Sequence, residues 1–248
     1  KWLFIFFEKM VAKITTKIIC VSEKDIEIGL TYNIAPKEKF VLIRYGIDID
    51  VFRKASNNIS TKKRELGIYN DGPVVGMISC LKPQKSPLDF VKAAIDIYKE
   101  IPHVNFLLVG DGVLKNRCKS MLRHSPLNGR FIFAGWRRDI PELLDIFDIA
   151  VLTSKWEGMP IAIIEALCKG CPVVVTDVGS AQEIVKNGIN GYITRPGAYK
   201  DTAEKVKMLL KDKGMLARMK KEALISIDDS FDIKNMVNRI DSLYRSLA

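Results

Sequence analysis

Hydrophobic positions along the chain fall into two alternating patterns. Short runs such as FLLVG are apolar at every position, which is typical of strands buried within a sheet. Longer segments between them repeat their apolar residues with the period of a helix. The predicted strands are 17–21, 40–44, 74–79, 104–109, 130–134, 149–153, 172–176 and 191–194. The predicted helices are 87–98, 114–123, 140–147, 161–169, 181–186, 202–210, 215–227 and 232–247. This alternation predicts an α/β fold with a doubly wound, Rossmann-like parallel sheet that helices cover on both sides.

A polar, turn-rich segment, 57–72, separates the first two strands from the regular array that follows. We therefore expect residues 1–64 to be the end of an incomplete N-terminal domain and residues 65–230 to form a nucleotide-binding domain. Residues 231–248 are expected to form a final helix that packs back toward the N-terminal portion.

The charge of the chain favours anionic partners. Its 39 Lys and Arg against 29 Asp and Glu give a net charge of +10, which suits nucleotide phosphates, acidic lipid headgroups or nucleic acid, and equally a solvated basic surface. No nucleic-acid-binding pattern is present, so the sequence predicts no nucleic-acid partner. The apolar run 2–7 is far shorter than the ~20 residues of a spanning helix. Five cysteines, an odd number, favour a reducing cytoplasm.

Two lysines follow the third predicted strand. Lys82 and Lys85 precede a helix whose start is marked by Ser86 and Pro87. Unpaired backbone N–H groups and an ammonium group converge at such a helix start, which makes it a candidate phosphate site. Lysines on a solvated loop are the alternative interpretation.

Turns rich in glycine follow the next two strands. Gly110 and Gly112 form a G-x-G turn, which without a third glycine only weakly indicates a dinucleotide site. Gly135, Trp136 and Arg137 form the other turn, in which the indole could flank a base and the guanidinium could face a phosphate. A partly buried tryptophan beside an exposed arginine would give the same pattern.

Two glutamates bracket the turn after the strand 149–153. Glu157 lies in the loop, and Glu165 lies about one and a half turns into the following helix. Pro160 suits the first turn of that helix, and Gly158 and Met159 before it leave backbone N–H groups open to a ligand. A carboxylate accepts two hydrogen bonds side by side and so matches a vicinal diol on a ribose or a pyranose. Alternatively, Glu157 is a simple loop residue and Glu165 an exposed helix position.

Ordered motifs over most of the chain resemble a known family. They are VGMISCLKPQKSP, FLLVGDG, FIFAGW, DIAVLTSKWEGMP, the Glu157–Glu165 spacing, and a stretch containing Gly179, Glu183 and NGING. This order resembles the retaining GT-B glycosyltransferases of the Glu-x7-Glu type, the glycosyl transferases group 1, which include capsule, lipopolysaccharide and mannosyl transferases. The phrase YGIDIDVF resembles that family's connection between its two domains.

The resemblance implies a donor site on the C-terminal domain. Glu165 would bind the ribose of a UDP- or GDP-sugar, and Glu157 with the backbone from Gly158 to Ile161 would face the sugar and its phosphates. Lys85 would bind the diphosphate, with Lys82 nearby. The turn of Gly135, Trp136 and Arg137 would contact the base, and Gly110 and Gly112 would line the same crevice.

The implied reaction transfers a sugar with retention, through a front-face substitution in which neither glutamate need be a nucleophile. The acceptor would be a saccharide or lipid-linked saccharide in polysaccharide synthesis. The implied location is the cytoplasm, at the inner face of the membrane if the apolar N-terminal helix, 1–13, and the basic surface dock on anionic lipid. This helix could equally pack against the missing part of the N-terminal domain.

One departure from the family and the incomplete N-terminal part leave alternatives open. Cys80 stands five residues before Lys85, where the family usually has an arginine. The chain could be a donor-binding module that needs a separate N-terminal-domain chain, or an inactive remnant. A sugar-nucleotide epimerase of the same architecture is a third interpretation.

No metal or other cofactor is predicted. Cys168 and Cys171 form a C-x2-C without a second Cys/His pair at zinc spacing. His103 and His124 lie outside the turns that follow strands and are poor candidates for a general base. No Asp-x-Asp motif is present.

Overall fold

The computed structural model describes residues 2–54, 58–123, 125–127 and 129–247. The helices are α1 (Trp2–Ile14), α2 (Glu23–Thr31), α3 (Ile49–Arg53), α4 (Ile59–Glu65), α5 (Pro87–Glu100), α6 (Lys115–Leu122), α7 (Ile140–Asp145), α8 (Ile161–Cys168), α9 (Ala181–Ile184), α10 (Tyr199–Lys211), α11 (Lys213–Ile225) and α12 (Ile233–Leu247). The strands are β1 (Ile18–Cys20), β2 (Phe40–Leu42), β3 (Val74–Ile78), β4 (Asn105–Val109), β5 (Phe131–Gly135), β6 (Ile149–Leu152), β7 (Val173–Thr176) and β8 (Gly191–Thr194).

The main sheet is parallel and has the strand order β5-β4-β3-β6-β7-β8. Every residue of β4, β6 and β7 is buried, as expected where layers cover both faces of a sheet. Helix α5 packs against α10, and α8 packs against α11. The predicted doubly wound α/β fold is therefore confirmed, and every predicted strand is present with ends displaced by a residue or two.

Three helices in the first 65 residues were not predicted: α2, α3 and α4. Helix α4 corrects the interpretation of segment 57–72 as a run of turns; residue 57 itself lies outside the described part. Polar side chains stabilise α4 rather than an apolar stripe: the Lys62 ammonium lies 2.9 Å from the Glu65 carboxylate and 2.6 Å from that of Asp139. Asp139 belongs to the main domain, which comprises the six-stranded sheet and the helices that pack on it. A search for apolar periodicity does not detect such a helix.

The last helix begins beside the first part of the chain. The Ile47 N–H group donates to the Phe231 carbonyl, and the Ile233 N–H group donates to the Ile47 carbonyl, both at 2.9 Å. Upstream of Ile47, β1 and β2 form a separate two-stranded parallel sheet. The domain division at residues 64 and 230 stays a prediction.

Helix α1 carries many apolar side chains in contact with solvent, including Trp2, Phe4, Phe7 and Ile14. Within the described ranges, none of the helices has both the length and the apolar character needed to cross a bilayer.

Candidate active site

The turns after β3 and β6 meet at the carboxyl edge of the main sheet. Strand β3 lies between β4 and β6, so the crossovers leave in opposite directions there and open a crevice, the usual ligand position in such sheets. The Lys155 N–H group donates to the Gln84 carbonyl at 2.7 Å, and the Gln84 side chain donates to the Trp156 carbonyl at 2.9 Å. Hydrogen bonds thus join the two predicted ligand turns.

Lys85 and Glu157 form an ion pair in this crevice. The Lys85 ammonium lies 2.5 Å from Glu157 Oε1, and the Ser154 hydroxyl donates to the same oxygen at 2.5 Å. The Glu157 side chain is only 6% exposed, whereas that of Lys85 is 21% exposed. Glu157 therefore fixes the position of the Lys85 ammonium group. The ion pair uses one of the three N–H donors of the lysine and leaves the others for a ligand.

Ser86, which follows Lys85, has a left-handed backbone with φ of 47°. Its buried hydroxyl donates to Asp89 Oδ2 at 2.7 Å, and Thr153 Oγ1 donates to the Ser86 carbonyl at 2.9 Å. These bonds hold a conformation that is unfavourable for a residue other than glycine. They fix the direction in which the chain leaves Lys85 for α5.

Glu165 lies within α8 and is largely buried. Burial raises the pKa of its carboxyl group from the ordinary 4.5 to about 7. Among the described residues, no hydrogen bond or ion pair to this carboxylate is found. A buried carboxylate without a partner is costly, and a ligand that donates hydrogen bonds would remove the cost.

Hydrogen bonds from the turn after β7 fix the backbone between Glu157 and Glu165. Met159 and Pro160 are buried, while Gly158 and Ile161 are exposed at the start of α8. The Ser180 N–H group and hydroxyl both donate to the Gly158 carbonyl, at 3.0 and 3.1 Å. The turn 157–161 is thus fixed by the turn after β7.

The glycine turn after β4 packs closely on the turn after β3. A Cβ atom on Gly110, whose φ is 123°, would lie 2.0 Å from the Ser79 carbonyl oxygen, and the Gly110 N–H group donates to the Gly135 carbonyl at 2.7 Å. Gly112 similarly faces the backbone of Leu81. Lys82, on the same loop as Lys85, is exposed.

The turn after β5 is divided between solvent and the protein. Trp136 is 74% exposed. The Arg137 guanidinium instead binds the carboxylates of Asp139, at 2.5 and 2.7 Å, and Glu65, at 2.5 Å. The carboxylates of Asp139 and Glu65 raise the pKa of Arg137, and the Arg137 guanidinium in turn lowers the pKa of Asp139. The Trp136 ring is therefore accessible to a ligand, whereas the Arg137 guanidinium is bonded to Asp139 and to Glu65 of α4.

Sequence reasoning missed one wall of the site. A cleft of about 950 Å³ lies between α2 and the main domain, lined by Asp25, Glu157, Asp177, Gly179 and Glu183 among others. Because helix α2 was not predicted, the cleft that it lines could not be predicted either. Glu183 was noticed only within a motif; its place after a buried strand was the signal that could have singled it out.

Most of the cysteines are buried. No group of three His, Cys, Asp or Glu side chains suited to a metal ion occurs in the part of the chain that the structure describes. Cys168 and Cys171 are free and buried, and burial raises the pKa of the Cys171 thiol to about 12. Cys80 is exposed. His124 lies outside the described residues.

Comparison with known proteins assigns the chain to a family. Residues 58–224 match the profile of the glycosyl transferases group 1. The chain belongs to this family. The resemblance seen in the motifs is thereby confirmed at the level of a GT-B glycosyltransferase domain.

Two similar curated proteins act on lipid-linked saccharides. The chain is 35% identical over 247 residues to the Escherichia coli UDP-Gal:alpha-D-GlcNAc-diphosphoundecaprenol alpha-1,3-galactosyltransferase, covering 98% of this chain and 62% of the relative. It is 29% identical over 220 residues to the Campylobacter jejuni N,N'-diacetylbacillosaminyl-diphospho-undecaprenol alpha-1,3-N-acetylgalactosaminyltransferase, covering 87% of this chain and 56% of the relative. The chain therefore spans little more than half the length of these relatives.

A solved structure shares the arrangement. The crystal structure of HepE from Anabaena in complex with UDP-glucose superposes with a TM-score of 0.87 at 25% identity, over 98% of this chain and 68% of that one. The complex of HepE with UDP gives a TM-score of 0.84 at 27% identity, over 93% and 64% of the two chains.

Proposed function

We propose that this chain carries the donor site of a retaining glycosyltransferase that moves a sugar from a nucleotide-sugar to a lipid-linked saccharide. The observation that carries the proposal is the meeting of the turns after β3 and β6, which joins Lys85 to Glu157 at the switch point of the sheet. The names of the relatives and the UDP complexes of HepE support a UDP-sugar over a GDP-sugar.

The nucleoside would be held by Glu165 and the turn after β5. Two ribose hydroxyls donating to the Glu165 carboxylate would supply the hydrogen bonds that this buried group lacks. Because these hydroxyl groups would bind the ionised carboxylate, the bound ribose would lower the pKa of Glu165 from about 7. Trp136 offers an exposed ring for the base.

The diphosphate would lie between Lys85 and the start of α8. Negative charge develops on the departing diphosphate, so a fixed ammonium and the backbone N–H groups of Gly158, Met159 and Ile161 aimed at it would lower the barrier. Glu157, held by Ser154, keeps Lys85 in place and faces the sugar. With retention, the bond from the anomeric carbon to the diphosphate breaks and the acceptor oxygen attacks the same face, while its proton passes to the leaving phosphate.

Calorimetric titration with UDP, GDP, UDP-glucose and UDP-galactose tests the proposal. We expect uridine nucleotides to bind and Lys85→Ala to weaken UDP at least about tenfold, since a charge-assisted bond contributes about 1.5–3 kcal/mol. Lys211→Ala is the matched control, because Lys211 pairs with Glu100, away from the crevice. Absence of nucleotide binding to the parent chain would overturn the proposal.

A donor-binding module or inactive remnant, which would need a separate N-terminal-domain chain for transfer, is the second candidate. The exposed thiol of Cys80 at the donor turn favours it, since no guanidinium stands there. Release of free glucose from UDP-glucose distinguishes the two. Turnover that Lys85→Ala abolishes supports an active donor site, whereas nucleotide binding without turnover supports the module.

A further inference from the structure

Glu183 of α9 reaches across the cleft to the N-terminal part of the chain. Its carboxylate accepts hydrogen bonds from the backbone N–H groups of Glu23, at 3.3 Å, and Lys24, at 3.0 Å. The Arg44 guanidinium donates to the same carboxylate at 3.2 Å. Three groups from the first 44 residues therefore converge on one side chain of the main domain.

These contacts complete the start of α2. The first N–H groups of a helix have no partner within the helix, and a carboxylate there also interacts favourably with the helix dipole. Among the described residues, the local cap Ser22 accepts only from the Asp25 N–H group. Glu183 supplies the acceptors for the two remaining N–H groups of the first turn, from about 160 residues away in the sequence.

The environment of Glu183 makes this more than a surface ion pair. The side chains of Arg44 and Glu183 are only 22% and 20% exposed. The Arg44 guanidinium also lies 5.9 Å from the centre of the Phe231 ring, at the crossing into α12. Solvent screens exposed pairs, which often contribute almost nothing, but it screens this cluster less.

The turn that carries Glu183 also packs on the donor turn. A Cβ atom on Gly179, whose φ is 55°, would lie 2.3 Å from the Gly158 carbonyl oxygen. Ser180 donates twice to the same oxygen. A continuous set of contacts thus runs from Lys85 and Glu157 through this turn to Glu183 and α2.

We infer that Glu183 is a positioning residue that holds the N-terminal part of the chain against the donor domain and couples this contact to the occupancy of the donor site. The coupling rests on the proposed function; the contact itself does not. A ligand that fixes residues 157 and 158 fixes the turn 179–183 behind them and with it the carboxylate that caps α2.

Backbone amide exchange at Glu23 and Lys24 tests the contact. In Glu183→Ala we expect both amides to exchange about fivefold to tenfold faster, the effect of losing a helix cap, while β3, β4 and β7 stay protected. Gln182→Ala is the matched control. Gln182 lines the same cleft, but within the described part of the chain its side chain bonds only Asp177. Should Glu183→Ala fail to fold, Glu183→Gln, which keeps an acceptor oxygen, should give a smaller acceleration of the same two amides.

UDP-glucose tests the coupling on the same chain. We expect it to slow exchange at Glu23 and Lys24 in the parent and in Gln182→Ala, but not in Glu183→Ala. Because coupling between two sites is reciprocal, the affinity of Glu183→Ala for UDP-glucose should fall by the same factor as that slowing. Unchanged exchange at both amides in the Glu183 variants would overturn the contact. Bound UDP-glucose that leaves both amides unaffected in the parent would overturn the coupling, whereas failure to bind any nucleotide would count against the proposed function alone.

Discussion

Glu165 shows how a single buried carboxyl group links the fold to the chemistry. Its place in α8 could be predicted from the sequence, because the helical period and the Glu-x7-Glu spacing are both visible there. Its burial and raised pKa could not, since they depend on the packing of distant segments around α8. In the same way, Lys85 and Glu157 were predicted at one crevice, but their ion pair was not.

Glu165→Gln should stabilise the unliganded chain in a pH-dependent way. The folded-state pKa of about 7 lies above the ordinary 4.5, so the folded state binds the proton more tightly than the unfolded state. The contribution of Glu165 to stability is therefore greatest below pH 4.5 and is lost as the pH rises to about 7. Urea unfolding should show that the free energy of unfolding of the variant, relative to that of the parent, is higher at pH 8 than at pH 5. An equal difference at both pH values would contradict the assigned pKa.

Cys80→Arg should strengthen donor binding. The Cys80 side chain is exposed at the donor turn, and a guanidinium there could bind a phosphate through two parallel hydrogen bonds. We expect the affinity for UDP to rise by about tenfold, as one charge-assisted bond would provide. Calorimetric titration measures it, with Cys80→Ser as the control for loss of the thiol. Equal UDP affinity in the Arg and Ser variants would show that position 80 does not face the diphosphate.

At the scale of elements, the parallel sheet could be predicted almost completely. Its strands are short and mostly apolar, and glycine or proline borders several of them, so their pattern needs little tertiary context. Helices α2 and α4 could not be predicted, because polar contacts with other parts of the chain stabilise their first turns or their exposed faces. The elements that close the site are those that depend most on such contacts.

Gly110→Ala should destabilise the junction of the turns after β3 and β4. Its φ of 123° is accessible almost only to glycine, and the new Cβ would lie 2.0 Å from the Ser79 carbonyl oxygen. We expect a loss of more than about 2 kcal/mol in the free energy of unfolding. Gly135→Ala is the control, because its φ of 68° is also positive but its Cβ would have open space. It should cost only about 1 kcal/mol in the same urea titration.

At the scale of the whole molecule, both the first and the last helix leave apolar side chains exposed to solvent. Helix α1 exposes Trp2, Phe4 and Phe7, and α12 exposes Val237 and other apolar residues along one stripe. Exposed apolar patches of this kind mark interaction surfaces. From the sequence alone, the net charge of +10 indicated an anionic partner but gave no location for it.

We expect α1 to bind anionic membranes. Lys9 and Lys13 lie on this helix among its exposed aromatic side chains, a composition that suits the interface of an anionic bilayer, and each basic residue near such a surface contributes about 1 kcal/mol. Co-sedimentation should show binding to vesicles that contain phosphatidylglycerol and much weaker binding to phosphatidylcholine alone. Salt should weaken the binding, because part of it is electrostatic.

Single variants distinguish membrane binding by α1 from nonspecific binding of the chain to vesicles. Phe4 is 75% exposed, so Phe4→Glu should leave the fold intact and weaken vesicle binding about tenfold or more, given the 1.5–3 kcal/mol of burying such a side chain. Val237→Glu places the same charge at an exposed apolar position of α12 and should bind as the parent does. Equal losses of vesicle binding in the two variants, or parent-like vesicle binding by Phe4→Glu, would show that α1 does not contact lipid. The exposed apolar face of α1 would then be assigned to contact with a protein partner.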